Sequence, residues 1–201
     1  EDTYLDFNRC GIPLIEIVSE PDIRSPEEAY KYLNKLKQSL EYLEVSDCNM
    51  EQGSLRCDAN ISVRPKGQKE FGVRTEMKNM NSFSGVRKAL QYEIDRQIKV
   101  LKDGGIVEQQ TLLWDDRKEE ARPMRGKEES EDYRYFPEPD LVPLKVDQDW
   151  LNEIKEDIAE LPDEKRKRFK KEYGLREYDI DLLIGDHNIA EYYENTVEIA
   201  G

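Results

Sequence analysis

Two neighbouring runs alternate strictly in side-chain character, and no other feature constrains the fold of this chain as tightly. From Leu55 to Arg64, the apolar residues Leu55, Cys57, Ala59, Ile61 and Val63 interleave with Arg56, Asp58, Asn60, Ser62 and Arg64. A second run sets Phe71, Val73, Thr75 and Met77 against Gly72, Arg74, Glu76 and Lys78. A period of two puts successive side chains on opposite faces of a half-buried strand. The intervening Pro65-Lys66-Gly67-Gln68-Lys69-Glu70 has turn chemistry and a hairpin-compatible length. Two antiparallel strands are therefore expected. Their polar face gathers Arg56, Asp58 and Asn60 beside Arg74, Glu76 and Lys78. Two registers keep these residues on one side. One sets Asp58 opposite Glu76, which calls for a bound cation or a shared proton because opposed carboxylates repel. The other sets Asp58 opposite Lys78 and Asn60 opposite Glu76. The sequence leaves both open, together with the choice between a functional face and a solvated lattice of salt bridges.

The remaining chain bounds what such a hairpin can serve. Its 201 residues permit one large domain or two smaller ones. Charged residues make up 38% and apolar residues 37%, but the apolar ones are periodic, so a folded chain is expected. A net charge of −14 argues against a free-standing nucleic-acid binder. The only histidine is His187, which leaves little material for a zinc site or a Ser-His-Asp triad. Cys10, Cys48 and Cys57 lack metal or redox spacing, and Cys57 falls on the apolar side of its strand. An odd cysteine count without a leader points to the cytoplasm, and no apolar run reaches membrane-spanning length. The chain opens at Glu1 without a methionine and stops at Gly201 after a helical pattern, so a piece of a longer protein is expected.

Taken in order, Ile12 to Val18 reads as a short buried strand, with Glu16 either turned to water or held by a partner. Ser25-Pro26-Glu27-Glu28 is a helix start: Ser25 caps, Pro26 fits the first turn and Glu28 completes a capping box. Ala29, Leu33, Leu36, Leu40 and Leu43 give that helix one apolar stripe. Asn81 or Ser82 caps a second helix carrying Phe83, Val86, Leu90, Ile94, Ile98 and Leu101, closed by Gly104-Gly105. Ile106 to Trp114 is expected to be a strand, Asp115 to Arg117 a turn, and Ala121 to Met124 the returning strand, with Arg122 and Arg125 nearby. Asp132 to Leu141, rich in tyrosine and proline, reads as a rigid extended loop or edge strand that packs or stacks on a nucleotide. Beyond residue 146 helices dominate. Trp150, Leu151, Ile154, Ile158 and Leu161 predict one interrupted by Pro162, and Asp163 to Tyr173 a second ending at Gly174. Tyr178 to Ile184 and Ile189 to Ile199 predict two more. The cations from Lys165 to Lys171 form either a solvated helix face or an RNA contact. The expected class is α+β: a mostly antiparallel sheet with covering helices over residues 1–160, then the start of an all-helical domain over 161–201.

Several stretches closely resemble the GatB family, the B subunits of the bacterial glutamyl-/aspartyl-tRNA amidotransferase. They are Asp6-Phe7-Asn8-Arg9 with Gly11 and Pro13, LIEIVSEPDIRSPEEA, MEQGSLRCDANISVRP, TEMKNMNSF, the Gly104-Gly105 break and DYRYFPEPDLVPL. The resemblance implies a cradle domain that uses ATP and Mg²⁺ to phosphorylate the side-chain carboxylate of Glu-tRNA(Gln) or Asp-tRNA(Asn). Ammonia then displaces the phosphate to give Gln-tRNA(Gln) or Asn-tRNA(Asn). A glutaminase subunit, GatA, would supply that ammonia through an internal channel, a small subunit, GatC, would join the two into a heterotrimer, and a helical domain would grip the tRNA.

Carried over residue by residue, the Asp of RCDAN is Asp58 and the Glu of TEMKN is Glu76. Both belong to the family's site and offer hard oxygen ligands for Mg²⁺. Arg56, Arg74 and Lys78 would offset phosphate charge or polarise the acyl phosphate, with Asn60 and Glu51 as further ATP-site candidates. Two departures qualify this. Gln52 stands where the family usually has a second glutamate, and the family's metal-binding histidine lies in a segment N-terminal to these residues. The fragment alone is thus expected to be inactive. A non-catalytic tRNA-holding module is the alternative reading.

Overall fold

Each helix begins where its capping chemistry dictates. In the computed structural model, which describes residues 8, 11–124 and 142–200, helix α1 spans Pro26–Tyr42. The Ser25 hydroxyl accepts from the Glu28 amide at 3.1 Å, and the Glu28 carboxylate reaches back to the Arg24 amide at 2.5 Å. The first bond satisfies a donor that a helix start leaves open, and the second ties the residue before the cap to the first turn. Ala29, Leu33 and Tyr42 are buried, while Leu36, Leu40 and Leu43 lie half-buried along the same stripe. Helix α2, Phe83–Lys102, is capped by Ser82, whose hydroxyl accepts from Gly85 at 2.9 Å. It ends at Asp103, and Gly104 follows in the left-handed region at φ +77°.

Four strands form one sheet in the order β1 (Ala59–Ile61), β2 (Thr75–Lys78), β3 (Thr111–Asp115), β4 (Glu120–Pro123). The β1–β2 and β3–β4 pairs are antiparallel, and β2–β3 is parallel, with α2 as the crossover that parallel neighbours require. Asn79 leaves β2 at φ +68°, tolerable for asparagine, and its amide donates to the Trp114 carbonyl at 3.0 Å. One sheet face is covered: Ile61, Met77, Leu112 and Trp114 pack with Ala29 and Leu33 of α1 and Val86, Ala89 and Leu90 of α2. The other face is open. The α+β class and the covering helices are as the sequence predicts.

The hairpin register is the second of the two admitted: Ala59 faces Met77, Asn60 faces Glu76 and Ile61 faces Thr75. Its strands are shorter than the alternation predicts, and the cause is a buried polar cluster. Gln97 of α2 inserts its amide where the ladder would continue. Its Oε1 accepts from the Val63 amide at 3.0 Å, and its Nε2 donates to the Ile61 carbonyl at 3.1 Å and to Thr75 Oγ1 at 3.0 Å. Beyond this point the second run peels away, leaving Phe71 and Val73 exposed. Gly72 nonetheless crosses close over Val63: a Cβ there would collide with the Val63 carbonyl oxygen, a main-chain atom that cannot swing aside. Gly72→Ala is expected to cost about 3 kcal/mol, at the upper end for overpacking, measured as a lowered urea midpoint.

Other expectations need correction. Ile12 to Val18 forms no strand and is not buried; Leu14 is 91% and Val18 80% exposed, and Glu16 is exposed with them. A strand exists only as part of a ladder, and none of the strands among the described residues pairs with this segment. Strand β3 starts at Thr111, not Ile106, which is 81% exposed. The Asp132–Leu141 segment and Arg125 lie outside the described residues.

The C-terminal helices are α3 (Gln148–Asp157), α4 (Pro162–Glu172), α5 (Glu177–Leu183) and α6 (His187–Ala200). Pro162 opens α4 at its first turn, and α3 has already stopped at Asp157. Phe169, Ile180, Ile184 and Ala190 make a second core, edged by Tyr173 and Tyr193. A polar contact joins it to α1: Tyr42 Oη and Gln38 Nε2 both donate to the Ile184 carbonyl, at 2.8 and 2.7 Å. Lys35 also pairs with Asp163 at 2.6 Å, and His187 packs edge-on to Tyr42 at 5.1 Å between ring centroids. Burial, with Asp186 and two glutamates nearby, pushes the Tyr42 hydroxyl up to about 12, so it remains a donor at any physiological pH. No helix among the described residues is long and apolar enough to cross a membrane.

Candidate active site

The open face of the sheet is built by parity. In β2, Thr75 and Met77 point into the core, so Glu76 and Lys78 must point out. In and before β1 the same rule turns Ile61 inward and Asp58 and Asn60 outward. The antiparallel register then brings Lys78 onto Asp58. Its Nζ lies 3.0 Å from Asp58 Oδ2 and 3.1 Å from Glu76 Oε1. Two carboxylates, one just before β1 and one in β2, thus converge on one ammonium. Hydrogen bonds to Asp58 first, and then to Glu76, hold that ammonium above the usual lysine range, outweighing its partial burial. Lys78 is therefore charged throughout the physiological range.

Beside this trio lies a polar cleft of about 280 Å³, lined by Asn60, Arg74, Glu76, Gln109, Gln110 and Thr111. That volume falls just below the ~300–1,000 Å³ of typical small-molecule pockets. Polar groups line it almost throughout. Of the residues predicted from sequence, Asp58, Asn60, Arg74, Glu76 and Lys78 are gathered here. Arg56 and Glu51 are not: both are exposed on the chain leading into β1, and neither forms an ion pair among the described residues. Cys57 packs against the core, and burial pushes its thiol up to about 11, so it is a core filler and not a nucleophile. Gln109, Gln110 and Thr111 have no counterpart in the sequence-based reading. Their only signal is the parallel pairing of β3 with β2, which alternation within a strand does not reveal.

No group of three or more His, Cys, Asp or Glu side chains able to hold a metal occurs among the described residues. Asp58 and Glu76 nevertheless suit Mg²⁺, which is commonly bound by one or two carboxylates and completed by phosphates and water. In this structure the cation that meets both carboxylates is the Lys78 ammonium.

A larger cleft, of about 460 Å³, lies away from this chemistry, between α1 and α4. Its cations are already paired: Lys35 with Asp163, Lys37 with Glu41 and Arg166 with Asp181. The basic run on α4 is in part internally neutralised. Lys165, 7% exposed, contacts Glu194 at 2.6 Å, and Arg168 contacts Glu160 at 2.6 Å and also Glu194. The Arg168 guanidinium leads the causes that hold the Glu160 carboxyl below its ordinary range. This run is neither wholly solvated nor a free RNA-binding patch.

The fold is a layered α+β unit with a charged, open sheet face beside a polar cleft, and sequence comparison places it in a family. The chain belongs to the GatB/GatE catalytic-domain family, whose model matches residues 1–152. Among curated relatives, it is 57% identical over 196 residues to the B subunit of the aspartyl/glutamyl-tRNA(Asn/Gln) amidotransferase of Carboxydothermus hydrogenoformans, covering 98% of this chain and 41% of that protein. The corresponding subunit of Caldicellulosiruptor bescii is 59% identical over 198 residues, 98% of this chain and 41% of that protein. That of Chlorobaculum tepidum is 53% identical over all 201 residues and 42% of that protein. The chain spans about two fifths of the length of these relatives.

Proposed function

We propose that this chain supplies one wall of the site where the side-chain carboxylate of Glu-tRNA(Gln) or Asp-tRNA(Asn) is activated by ATP and amidated. The observation that supports this reading is the convergence of Asp58 and Glu76 on Lys78 beside a polar, phosphate-suited cleft. Asp58 and Glu76 would hold Mg²⁺, which offsets phosphoryl charge when bound. In the first step a substrate carboxylate oxygen attacks the γ-phosphorus of ATP, and ADP leaves. Arg74 and Asn60 of the cleft bind phosphate oxygens and orient them for in-line displacement. In the second step the nitrogen of ammonia attacks the acyl carbon, and inorganic phosphate leaves with the C–O electron pair. Lys78 hydrogen-bonds the developing oxyanion, and Glu76 takes the proton that the new amide nitrogen sheds. Arg56 adds positive charge two residues before Asp58, and Glu51 an outlying carboxylate.

The ammonia would come from a glutaminase partner, GatA, through an internal channel, with GatC joining the two in a cytoplasmic heterotrimer. We place a boundary near residue 160, with residues 161–201 opening a helical part that contacts tRNA. On α4 that contact falls to the exposed Lys167 and Lys171, since Lys165 and Arg168 are spent on internal glutamates.

Isotope transfer tests the activation step. With Glu-tRNA(Gln) labelled by ¹⁸O in both γ-carboxylate oxygens, the complete amidotransferase is expected to deliver one labelled oxygen to inorganic phosphate for each amide formed. Phosphate free of label, with amide formation intact, would remove the acyl phosphate from the scheme.

A further inference from the structure

Thr111 opens β3 in a stretch whose sequence gives it no prominence. The parallel register sets it directly beside Glu76 on the open face, and its hydroxyl donates to Glu76 Oε2 at 3.0 Å. The other carboxylate oxygen, Oε1, lies 3.1 Å from Lys78 Nζ. Glu76 is thus held at its two oxygens by two partners from two directions. The main chain is pinned at the same point, because the Glu76 amide donates to the Gln110 carbonyl at 2.9 Å. A glutamate on an open sheet face is otherwise free to turn about several side-chain torsions. Here its plane is set. Each oxygen has accepted one hydrogen bond and retains further acceptor capacity, and Glu76 and Thr111 line the same cleft.

We infer that Thr111 is a positioning residue for the amidation: its hydroxyl fixes the Glu76 carboxylate in the orientation that presents its remaining lone pairs to the bound cation and substrate. The inference rests on the assignment of Glu76 made above. Cross-strand packing alone is a weaker account. Thr111 faces away from the core, and a polar pair on a half-exposed sheet face adds little to stability. Stability and turnover therefore separate the two.

The test uses the complete amidotransferase. Thr111→Val keeps the shape and β-branching and removes only the hydroxyl, whereas Thr111→Ser restores it. Thr111→Val is expected to lower kcat for amidation about 10- to 100-fold, the usual range for a residue that orients a metal ligand. KM for the aminoacyl-tRNA, the glutaminase rate and the unfolding midpoint should stay near wild type. Thr111→Ser should recover most of the loss. Without turnover, titration of Mn²⁺ by electron paramagnetic resonance should show weaker binding to the Val variant and near-normal binding to the Ser variant. A Val variant with wild-type kcat, or with unaltered Mn²⁺ affinity, overturns the inference. So does equal impairment of Val and Ser variants, which would make the role one of side-chain volume. Glu76→Gln measured alongside separates the two levels. If that variant amidates normally, the assignment of Glu76 fails and Thr111 falls with it. If it is inactive while Thr111→Val is normal, only the Thr111 inference fails.

Discussion

Replacing Glu76 with Gln in the complete amidotransferase is expected to cut amidation by about a thousandfold, roughly 4 kcal/mol of transition-state stabilisation. The substitution is isosteric. The Gln carbonyl can still accept from Thr111, and the half-exposed site imposes no packing penalty. What disappears is one of two negative charges converging on Lys78 and, in the proposed scheme, a Mg²⁺ ligand and the base for the amide proton. Glutamine hydrolysis at the partner subunit and tRNA affinity should change by no more than about twofold, since neither needs this carboxylate. The assay compares Gln-tRNA formation, ATP cleavage and glutaminase rate in one preparation. Wild-type amidation by this variant would reduce the trio on the open face to a surface salt bridge.

Replacing Glu93 with Leu is expected to destabilise the fold by about 3–5 kcal/mol, the usual cost of removing one partner from a buried charged pair. Glu93 is fully buried under the hairpin. Its Oε1 accepts from Thr75 Oγ1 at 2.7 Å, Gln97 Nε2 at 2.8 Å and Arg96 Nη2 at 2.8 Å, and its Oε2 accepts from Arg96 Nε at 2.7 Å. Leucine would strand donors on three side chains and unseat the Gln97 amide that terminates the β1–β2 ladder. A fall in melting temperature of about 10 °C is expected, at ~2–4 °C per kcal/mol for a chain of this size.

The same residue sets a pH dependence. Burial alone would raise the Glu93 carboxyl, but hydrogen bonds from Arg96, Gln97 and Thr75 outweigh it and leave it below its ordinary value of 4.5. A depressed folded value means that the stabilisation is complete above pH 4.5 and drains away as pH falls through the folded value. Urea midpoints between pH 7 and pH 3 should therefore decline, and less steeply in Glu93→Gln. An identical slope in that variant would remove Glu93 from the acid response.

Alternation made the hairpin and its polar face legible, because parity within a strand depends only on sequence spacing. It could not choose the register. Nor could it show where the ladder stops, which is set by the amide of Gln97, thirty-four residues beyond Val63. Helix starts were equally legible, since Ser25 and Ser82 cap through contacts three residues away. Legibility failed where the determining partner lies outside the element. Ile12 to Val18 has strand composition, but composition does not supply a neighbour. The α4 cations look like one patch in sequence; Glu160 and Glu194, brought in from outside the helix, divide them into buried and free. Thr111 was invisible because its importance comes from a parallel neighbour reached through a whole helix.

The two donors that α1 places on the Ile184 carbonyl make that atom a fulcrum. Helix α6 begins three residues further on and runs for 14 residues, a lever of about 21 Å at 1.5 Å per residue. A tilt of about 10° at Ile184 would carry its far end through nearly 4 Å, by the same geometry. Tyr42 and Gln38 thus set the base of this lever from α1, and the ion pairs of Glu194 with Lys165 and Arg168 brace it from α4.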